Sequence, residues 1–349
     1  MASSIDPKSH ERLNLKLSHA RHIPWSPKGR WVIFSDLHMG DGGKRDDFAS
    51  NADLFSSVLT QAYPVEDWNL ILNGDVEELY KFTWRAIKRA WPSIYSLFDT
   101  FHHQGKLYKT VGNHDARLIL DLKESSPYPM DTVLRMTGTE LPILIYHGHQ
   151  VSTYYDRFND ISRIGVRYFA MPLGIMNRSV SHSSRKRHSM EQRIYTYSRR
   201  QQLISIIGHT HRPLFESLSK PDTLRFRIEA LLLAYRKASV KKRPPIEEEI
   251  LDLKSELAEW SARKHPEELS SGIYAAGNLP VPCVFNSGTV LGKRGMTCLE
   301  IADSEIRLVH WIRTFPQETT EENEYQGFTR QVLRKADMDY VMTSMRLLS

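Results

Sequence analysis

Seven side chains able to bind metal ions occur in short motifs between residues 36 and 211. They are Asp36 and His38 in "DLH", Asp75 in "GD", Asn113 in "GNHD", His147 in "HGH", and His209 and His211 in "GHTH". Carboxylate oxygens and neutral imidazole nitrogens are the usual protein ligands of zinc, manganese and iron. In "DLH" and "HTH" the two candidate ligands are two positions apart, which places both on one side of an extended chain. The residue types and their spacing therefore predict a metal centre.

The number of candidate ligands indicates two ions, because a single tetrahedral ion needs only four. Asp75, in the middle of the set, is the expected bridge between them. Two ions roughly 3.5–4 Å apart can stabilise both the attacking and the leaving oxygen of an in-line displacement. Mixed nitrogen and oxygen sites accept manganese, iron, zinc or cobalt. We expect two divalent ions, with manganese as the first choice, and hydrolysis by in-line displacement as the reaction.

Each motif follows a short apolar run typical of a buried strand. The runs and their motifs are "WVIFSDLH" (31–38), "NLILNGD" (69–75), "KLYKTVGNHD" (106–115), "LPILIYHGH" (141–149) and "LISIIGHTH" (203–211). Helical patterns at 46–63 and 76–103, the second with a break at Pro92, separate the first three runs. Strands alternating with helices predict an α/β fold, a layered sandwich in which helices flank buried mixed β-sheets. Ligands in such folds gather at the carboxyl ends of the strands.

The five blocks, in this order, resemble the pattern of the calcineurin-like metallophosphoesterase superfamily, and they span about half of the chain. The resemblance implies the metallophosphoesterase-like sandwich and a water or hydroxide between two metals as the nucleophile. It assigns Asp36, His38 and His211 to one metal, and Asn113, His147 and His209 to the other, with Asp75 as the bridge.

The resemblance also assigns catalytic roles within "GNHD". His114 would stabilise the phosphoryl oxygens and protonate the leaving alkoxide. Asp115 would orient His114 and support its charged form. His149 is not required by the family pattern, and "NSGT" (286–289), which loosely resembles a family loop, is interpreted as structural.

Changes in composition and the positions of prolines divide the chain into a basic N-terminal arm (1–29), a phosphoesterase domain (30–312) and a C-terminal tail (313–349). Two insertions interrupt the domain: a basic and apolar rim at about 152–202 and a helical hairpin at about 222–266. The stretch 178–200 has one acid, Glu191, among many basic residues. Either this stretch is a solvated, flexible loop or it contacts an anionic substrate. The candidate substrate-binding residues are Arg178, Arg185, Lys186 and Arg187.

The substrate stays open at this stage. The chain has 349 residues, a formal net charge of +6 and a pI of about 9.1, which favours anionic partners such as phosphate compounds, nucleic acid or anionic lipid.

The bond that is hydrolysed could belong to a phosphomonoester, a phosphodiester or a pyrophosphate. One alternative is a nuclease. Another is an enzyme similar to the UDP-diacylglucosamine pyrophosphohydrolases, which the motifs "SDLHMG", "HGH" and "GHTHRP" resemble. That family has arginine where this chain has His114. A third alternative is a non-catalytic scaffold on the same fold. Such proteins commonly lack some of the metal ligands or the acid histidine, whereas this chain keeps all of them.

The location of the protein is inferred from segments that the sequence lacks and from its two cysteines. The first residues contain no apolar run of signal-peptide length, and no transmembrane run occurs. Cys283 and Cys298 lie in apolar stretches, which favours small core residues in a reducing compartment. We therefore expect a cytoplasmic protein. The apolar stretch "VRYFAMPLGIMN" (166–177) favours an amphiphilic phosphate ester as substrate, with peripheral contact to an anionic membrane surface or to nucleic acid as the expected partner. The oligomeric state stays open.

Overall fold

The computed structural model describes residues 18–120, 126–151, 184–217, 243–263, 281–314 and 327–349, with a few separate positions between and before them. The strands within these ranges are β1 (Arg21–Pro24), β2 (Trp31–Phe34), β3 (Asn69–Asn73), β4 (Leu107–Thr110), β5 (Met130–Asp131), β6 (Leu134–Thr137), β7 (Ile143–Ile145), β8 (Ile204–Ile207), β9 (Val284–Asn286), β10 (Met296–Ala302), β11 (Glu305–Arg313) and β12 (Phe328–Asp337). The α-helices are α1 (Ala52–Gln61), α2 (Trp84–Ala90), α3 (Pro92–His103), α4 (Arg117–Leu120), α5 (Ser184–Gln201), α6 (Arg243–Arg263) and α7 (Met338–Leu348).

The strands form two mixed sheets. The seven-stranded sheet has the order β12-β11-β10-β2-β3-β4-β5, and the five-stranded sheet has the order β1-β6-β7-β8-β9. Strands β2 to β5 run parallel, as do β7 to β9, so each sheet has a parallel part. The carboxyl ends of the parallel strands carry the predicted metal motifs.

Strand β2 shows why the two sheets stack. All four of its residues are buried, and alternate side chains point to opposite faces. Val32 and Phe34 pack with helices α1 to α3, whereas Trp31 and Ile33 pack with residues of the five-stranded sheet. Helix α5 packs on the outer face of that second sheet. The predicted α/β sandwich of two buried mixed sheets flanked by helices is therefore confirmed.

The helical pattern at 76–103 forms two helices, and the second begins at Pro92, where the break was predicted. Residues 76–83 form turns instead of helix. The reason is local: the Thr83 side chain accepts a hydrogen bond from the Ala86 amide and so caps α2 at that point.

Both ends of the chain differ from the expected arm and tail. Within residues 1–29, strand β1 pairs in parallel with β6, and Ile23 is only 1% exposed. Within residues 313–349, β12 extends the seven-stranded sheet along β11, and α7 buries four side chains in the cores. The edge strands β1 and β12 are exposed or half-buried at most positions, so neither is the continuous apolar run that indicates a buried strand in sequence.

The two insertions are described in part. Residues 152–183, which include Arg178, lie outside the described residues. Residues 184–201, interpreted as either a loop or a substrate contact, form the regular helix α5. In the second insertion, α6 begins beside Pro244, and Arg227 from the preceding segment forms an ion pair with Glu249 at 2.7 Å. The hairpin stays a prediction. Within the described ranges, no helix is long and apolar enough to cross a membrane.

Candidate metal centre

The predicted ligands lie where strands of the two sheets end side by side. Asp36, Asp75 and Asn113 follow β2, β3 and β4 of the seven-stranded sheet, and the three histidines His147, His209 and His211 follow β7 and β8 of the five-stranded sheet. Backbone hydrogen bonds join neighbouring loops, from the Asp36 amide to the Gly74 carbonyl (3.1 Å) and from the Gly208 amide to the His147 carbonyl (3.1 Å). The site therefore lies between the two sheets.

One group of potential ligands consists of Asp36, His38 and His211. The His211 Nε2 atom is 3.0 Å from the Asp36 Oδ1 atom, and the two imidazoles face each other with their Nε2 atoms 3.2 Å apart. One donor atom from each residue lies within 4.8 Å of the others. These are the residues that the sequence assigned to the first metal.

A second group consists of Asp75, His147 and His209. The His147 Nε2 atom is 3.1 Å from the Asp75 Oδ2 atom and 3.2 Å from the His209 Nδ1 atom. The same Asp75 oxygen is 3.8 Å from the His38 Nε2 atom in the first group. One carboxylate oxygen thus lies near imidazoles of both groups, which is the position that a bridging ligand needs.

Asn113 supplies a separate test of whether the residues suit a metal. Its Oδ1 atom is buried and has no hydrogen-bond partner in the described part of the chain. A buried polar atom without a partner is costly and calls for an explanation. A cation at the predicted second position would give this neutral oxygen a partner, so the donor set fits a divalent ion.

The outer nitrogens of two ligand imidazoles are held by hydrogen bonds. The His147 Nδ1 atom lies 2.9 Å from the Asn73 carbonyl oxygen, and the His38 Nδ1 atom lies 3.1 Å from the Glu78 Oε2 atom. Both oxygens are acceptors, so in each ring Nδ1 is the donor and Nε2 faces the interior of the site. Such bonds fix the tautomer and orientation of metal-binding histidines.

The backbone at the site is unusual. Five predicted ligands have left-handed conformations, with φ of 54° at Asp36, 49° at His38, 52° at Asp75, 66° at His209 and 54° at His211. A residue with a Cβ atom rarely adopts this conformation, and it costs on the order of 1–3 kcal/mol. Backbone strain of this kind concentrates at functional sites, where the surrounding structure holds it in place.

Two motif glycines allow the loops to approach closely. A Cβ atom at Gly112 would lie 2.1 Å from the Asp75 backbone nitrogen, and one at Gly208 would lie 2.7 Å from the Asp36 Oδ2 atom. No other residue fits these positions without moving a ligand. The glycines of "GNHD" and "GHTH" are therefore part of the site.

Buried charges of opposite sign determine the electrostatics. Burial by itself raises the pKa of Asp36, but His211 and His147 lower it to about 2. Burial lowers the pKa of His147, but Asp75 and Asp36 raise it to about 10. Burial and the charge on His147 lower the pKa of His209 to about 3. The carboxylates are thus ionised, and they give the site the negative charge that attracts a cation.

His114 lies beside the two groups and is oriented by Glu78. The His114 Nδ1 atom is 2.8 Å from the Glu78 Oε1 atom, and the Nε2 atom is 3.9 Å from the Asp75 Oδ2 atom. Burial lowers the pKa of His114, but Asp75 and Glu78 outweigh it, so that the pKa is raised above its ordinary value. Glu78 was not among the candidate residues, although it is the third acid of "GDVEELY" (74–80), three residues after Asp75.

Asp115 does not have the contact that was expected of it. One of its oxygens accepts from the Gly112 amide (2.7 Å) and the other from the Val76 amide (2.9 Å). Its carboxylate therefore fixes the backbone of two loops, and Glu78 takes the orienting role that was predicted for Asp115. The two side chains also differ in burial: Asp115 is fully buried, whereas His114 is partly exposed.

The "NSGT" segment holds two ligand loops. The Asn286 Nδ2 atom donates to the Gly208 carbonyl (3.0 Å) and to the Thr210 hydroxyl (2.9 Å). The Thr289 hydroxyl donates to the Asp36 carbonyl at 3.0 Å. These contacts support the structural interpretation of the segment.

Of the four predicted substrate-binding residues, only Arg187 has a described side chain, and it is half-buried on α5. Arg185 and Lys186 are described only as part of the helix backbone, and Arg178 lies outside the described residues. Helix α5 contacts β8 through Ser198 and Ser205, whose hydroxyl oxygens are 2.7 Å apart, and Glu191 pairs with Arg212 beyond the carboxyl end of that strand. The helix therefore runs antiparallel to β8, with its N-terminal end toward the metal centre.

Comparison with known proteins gives little further information. No protein-family model matches the chain, and no curated protein sequence matches it. Among solved structures, it is similar to a conserved uncharacterised protein of Streptococcus pneumoniae TIGR4, described as a predicted phosphoesterase. The identity is 11%, the match covers 87% of this chain and 97% of the other, and the TM-score is 0.31. A likeness this distant carries no functional argument, so function must be argued from the site.

Proposed function

We propose that the chain is a phosphoesterase that depends on two divalent metal ions and hydrolyses a phosphomonoester, phosphodiester or pyrophosphate bond. The observation that carries this proposal is the position of Asp75, between two groups of buried aspartate and histidine donors, with His114 beside them. Asp36, His38 and His211 would hold one ion, and Asn113, His147 and His209 the other. When bound, such ions acidify a water molecule and offset the negative charge of an ester.

His114, oriented by Glu78, would protonate the leaving group. Glu78 accepts from the His114 Nδ1 atom, which leaves the protonated Nε2 atom facing the site. A proton held there can be donated to a leaving alkoxide as the ester bond breaks. The same proton can donate a hydrogen bond to a phosphoryl oxygen and stabilise its developing charge.

The charge distribution supports an anionic substrate at the N-terminal end of α5. Arg187 precedes Glu191 by four positions, so it lies about 6 Å further along the helix axis, past the carboxyl end of β8. A guanidinium there can bind a second phosphate or another anionic group in bidentate fashion. The proposal includes Arg178, Arg185 and Lys186 as further contacts. An amphiphilic phosphate ester, with contact to an anionic lipid surface, remains part of the proposal.

The test begins with metal-free protein prepared with a chelator and then loaded with Mn²⁺. We expect two bound ions per chain and turnover of p-nitrophenyl phosphate, bis-p-nitrophenyl phosphate or a pyrophosphate diester. Asp75→Asn should lose both the second equivalent of metal and the turnover, because its neutral side chain is a poor bridge. A chain that binds two ions but cleaves none of a broad set of phosphate esters would instead be a non-catalytic scaffold.

A second comparison separates the substrate classes. Binding to single-stranded DNA and to vesicles that contain anionic lipid can be measured at increasing salt concentration. A nuclease should bind the DNA with a steep salt dependence, because bound counterions are released from the phosphates. Binding to the vesicles alone would favour the amphiphilic substrate.

A further inference from the structure

The one acid of the basic segment 178–200 is buried against the metal centre. Glu191 is 0% exposed, and its two carboxylate oxygens accept from the Nε atom (3.3 Å) and the Nη2 atom of Arg212. Arg212 directly follows the predicted ligand His211. A fully buried carboxylate needs a partner of opposite charge, so this pair is a fixed contact between α5 and the ligand loop.

Other contacts place the same turn of α5 against the ligand loops. The Met190 methyl group is 3.6 Å from where a Cβ atom on Gly148 would lie, a position that is also 3.7 Å from the His209 Cβ atom. One helical turn of α5 therefore contacts the loops that carry His147, His209 and His211.

The loop 208–212 needs such contacts because its own backbone does not favour its shape. His209 and His211 both have positive φ, which isolated chain of these residue types rarely adopts. Asn286 restrains the loop at Gly208 and Thr210, on the interior side. The Glu191–Arg212 pair restrains it at the opposite end, directly after His211.

We propose that the Glu191–Arg212 ion pair is a positioning device, through which the docking of helix α5 sets the conformation of the His209–His211 loop and hence the metal affinity of the site. This inference rests on the proposed function, because it presupposes that these histidines bind metal. It makes the insertion that contains α5 a determinant of metal binding as well as a rim for the substrate.

The experiment compares Glu191→Gln with a matched control, Glu300→Gln. Glu300 is also a buried carboxylate (1% exposed) that pairs with a partly buried arginine, Arg330, at 2.5 Å, but its partners lie on β11, β12 and Tyr63. Both variants should lower Tm, because each removes a buried negative charge that pairs with a partly buried arginine. Only Glu191→Gln should weaken Mn²⁺ binding in calorimetric titration of the metal-free protein, by roughly 10- to 100-fold, as loss of a contact behind metal ligands does elsewhere.

A second readout needs no metal. Amides of residues 208–212 should exchange hydrogen faster in metal-free Glu191→Gln than in metal-free Glu300→Gln. If Glu191→Gln does not fold, Glu191→Asp keeps the charge but shortens the side chain, and its Mn²⁺ affinity should fall in the same direction. Wild-type affinity in the Glu191 variant, or an equal loss in the Glu300 control, overturns the inference while the proposed function stands. A wild-type chain that binds no Mn²⁺ overturns both.

Discussion

Glu78 contacts two imidazoles that have different roles in the proposed reaction. One oxygen accepts from the metal-ligand candidate His38 and the other from the acid candidate His114. Burial raises the pKa of Glu78, but the hydrogen bonds from His114 and His38 outweigh it and lower the pKa to about 2. The carboxylate is therefore ionised at any ordinary pH and can orient both rings at once.

Replacing Glu78 should thus slow turnover without unfolding the chain. In Glu78→Gln the amide oxygen can accept from one imidazole, but the amide nitrogen cannot accept from the other. We expect kcat to fall roughly 10- to 100-fold at saturating Mn²⁺, as for other residues that orient metal ligands. The double variant Glu78→Gln/His114→Ala provides the control. If Glu78 acts through His114, the double variant is no slower than His114→Ala, and additive losses would contradict this.

His114 should matter most when the leaving group is poor. We expect His114→Ala to slow cleavage of an alkyl phosphodiester by roughly 100- to 10,000-fold, the usual contribution of a positioned acid. Esters of p-nitrophenol should be slowed less, because p-nitrophenolate leaves readily without a proton. The measurement is kcat for a series of esters with different leaving-group pKa values, at constant metal content. Equal slowing across the series would show that His114 has no role as an acid.

Single residues show how far the sequence alone could predict the site. Each of the seven ligand candidates follows a recognisable strand, and parallel strands that end at one edge bring such residues together. Glu78 could not be predicted, because it lies in the turns after β3, where no period tells which way a side chain points. Its direction depends on contacts from other parts of the chain, such as the bridge between Met39 and Glu77.

At the scale of the elements, the site depends on how closely the loops after β3 and β4 approach. Gly112→Ala would place a Cβ atom 2.1 Å from the Asp75 backbone nitrogen, and it must displace Asp75, the proposed bridging ligand. We expect this variant to lose Mn²⁺ binding and to show a lower Tm. Gly105→Ala is the control: Gly105 has φ of 68° but open space around it, so only backbone strain of about 1–2 kcal/mol is added.

The two glycine variants should therefore differ in metal binding, although both should be less stable than the wild type. Gly105→Ala should lower Tm and keep two bound ions per chain. Retention of both ions by Gly112→Ala, measured by titration with Mn²⁺, would mean that the loops can separate without loss of the site.

Elements buried on both faces could be predicted well, and edge elements could not. Strands β2 and β8 are buried at every position, whereas β12 is exposed or half-buried at all but its first residue and carries Arg330, Arg334 and Lys335. Its place beside β11 is set by nine paired positions across the sheet rather than by its own composition. The position of helix α7 was equally hard to predict, because its apolar side does not show which part of the core it covers.

At the scale of the whole molecule, the C-terminal residues are expected to be required for folding. Helix α7 buries Met338, Val341, Met342 and Met345. Each buried side chain of this size contributes about 1.5–3 kcal/mol, and domains have a total stability of only about 5–15 kcal/mol. We expect a chain ending at residue 337 to be insoluble or to lack a cooperative thermal transition.

Tyr340→Ala tests the opposite side of the same helix. Tyr340 is 60% exposed, so its loss should change the free energy of unfolding by less than about 0.5 kcal/mol. If the shortened chain melts cooperatively near the wild-type Tm, the C-terminal residues are a separable tail after all.

The position of the metal centre between the sheets has a consequence for how this chain can evolve. Four ligand candidates follow strands of the seven-stranded sheet, and three follow strands of the five-stranded sheet. Functional sites tolerate displacements of only about 0.5 Å, whereas a slip of one residue along a strand moves it by about 3.3 Å. Selection on the reaction would then act on the register between the sheets as strongly as on the ligands. Core substitutions far from any ligand should be tolerated only in combinations that leave the spacing of the two layers unchanged.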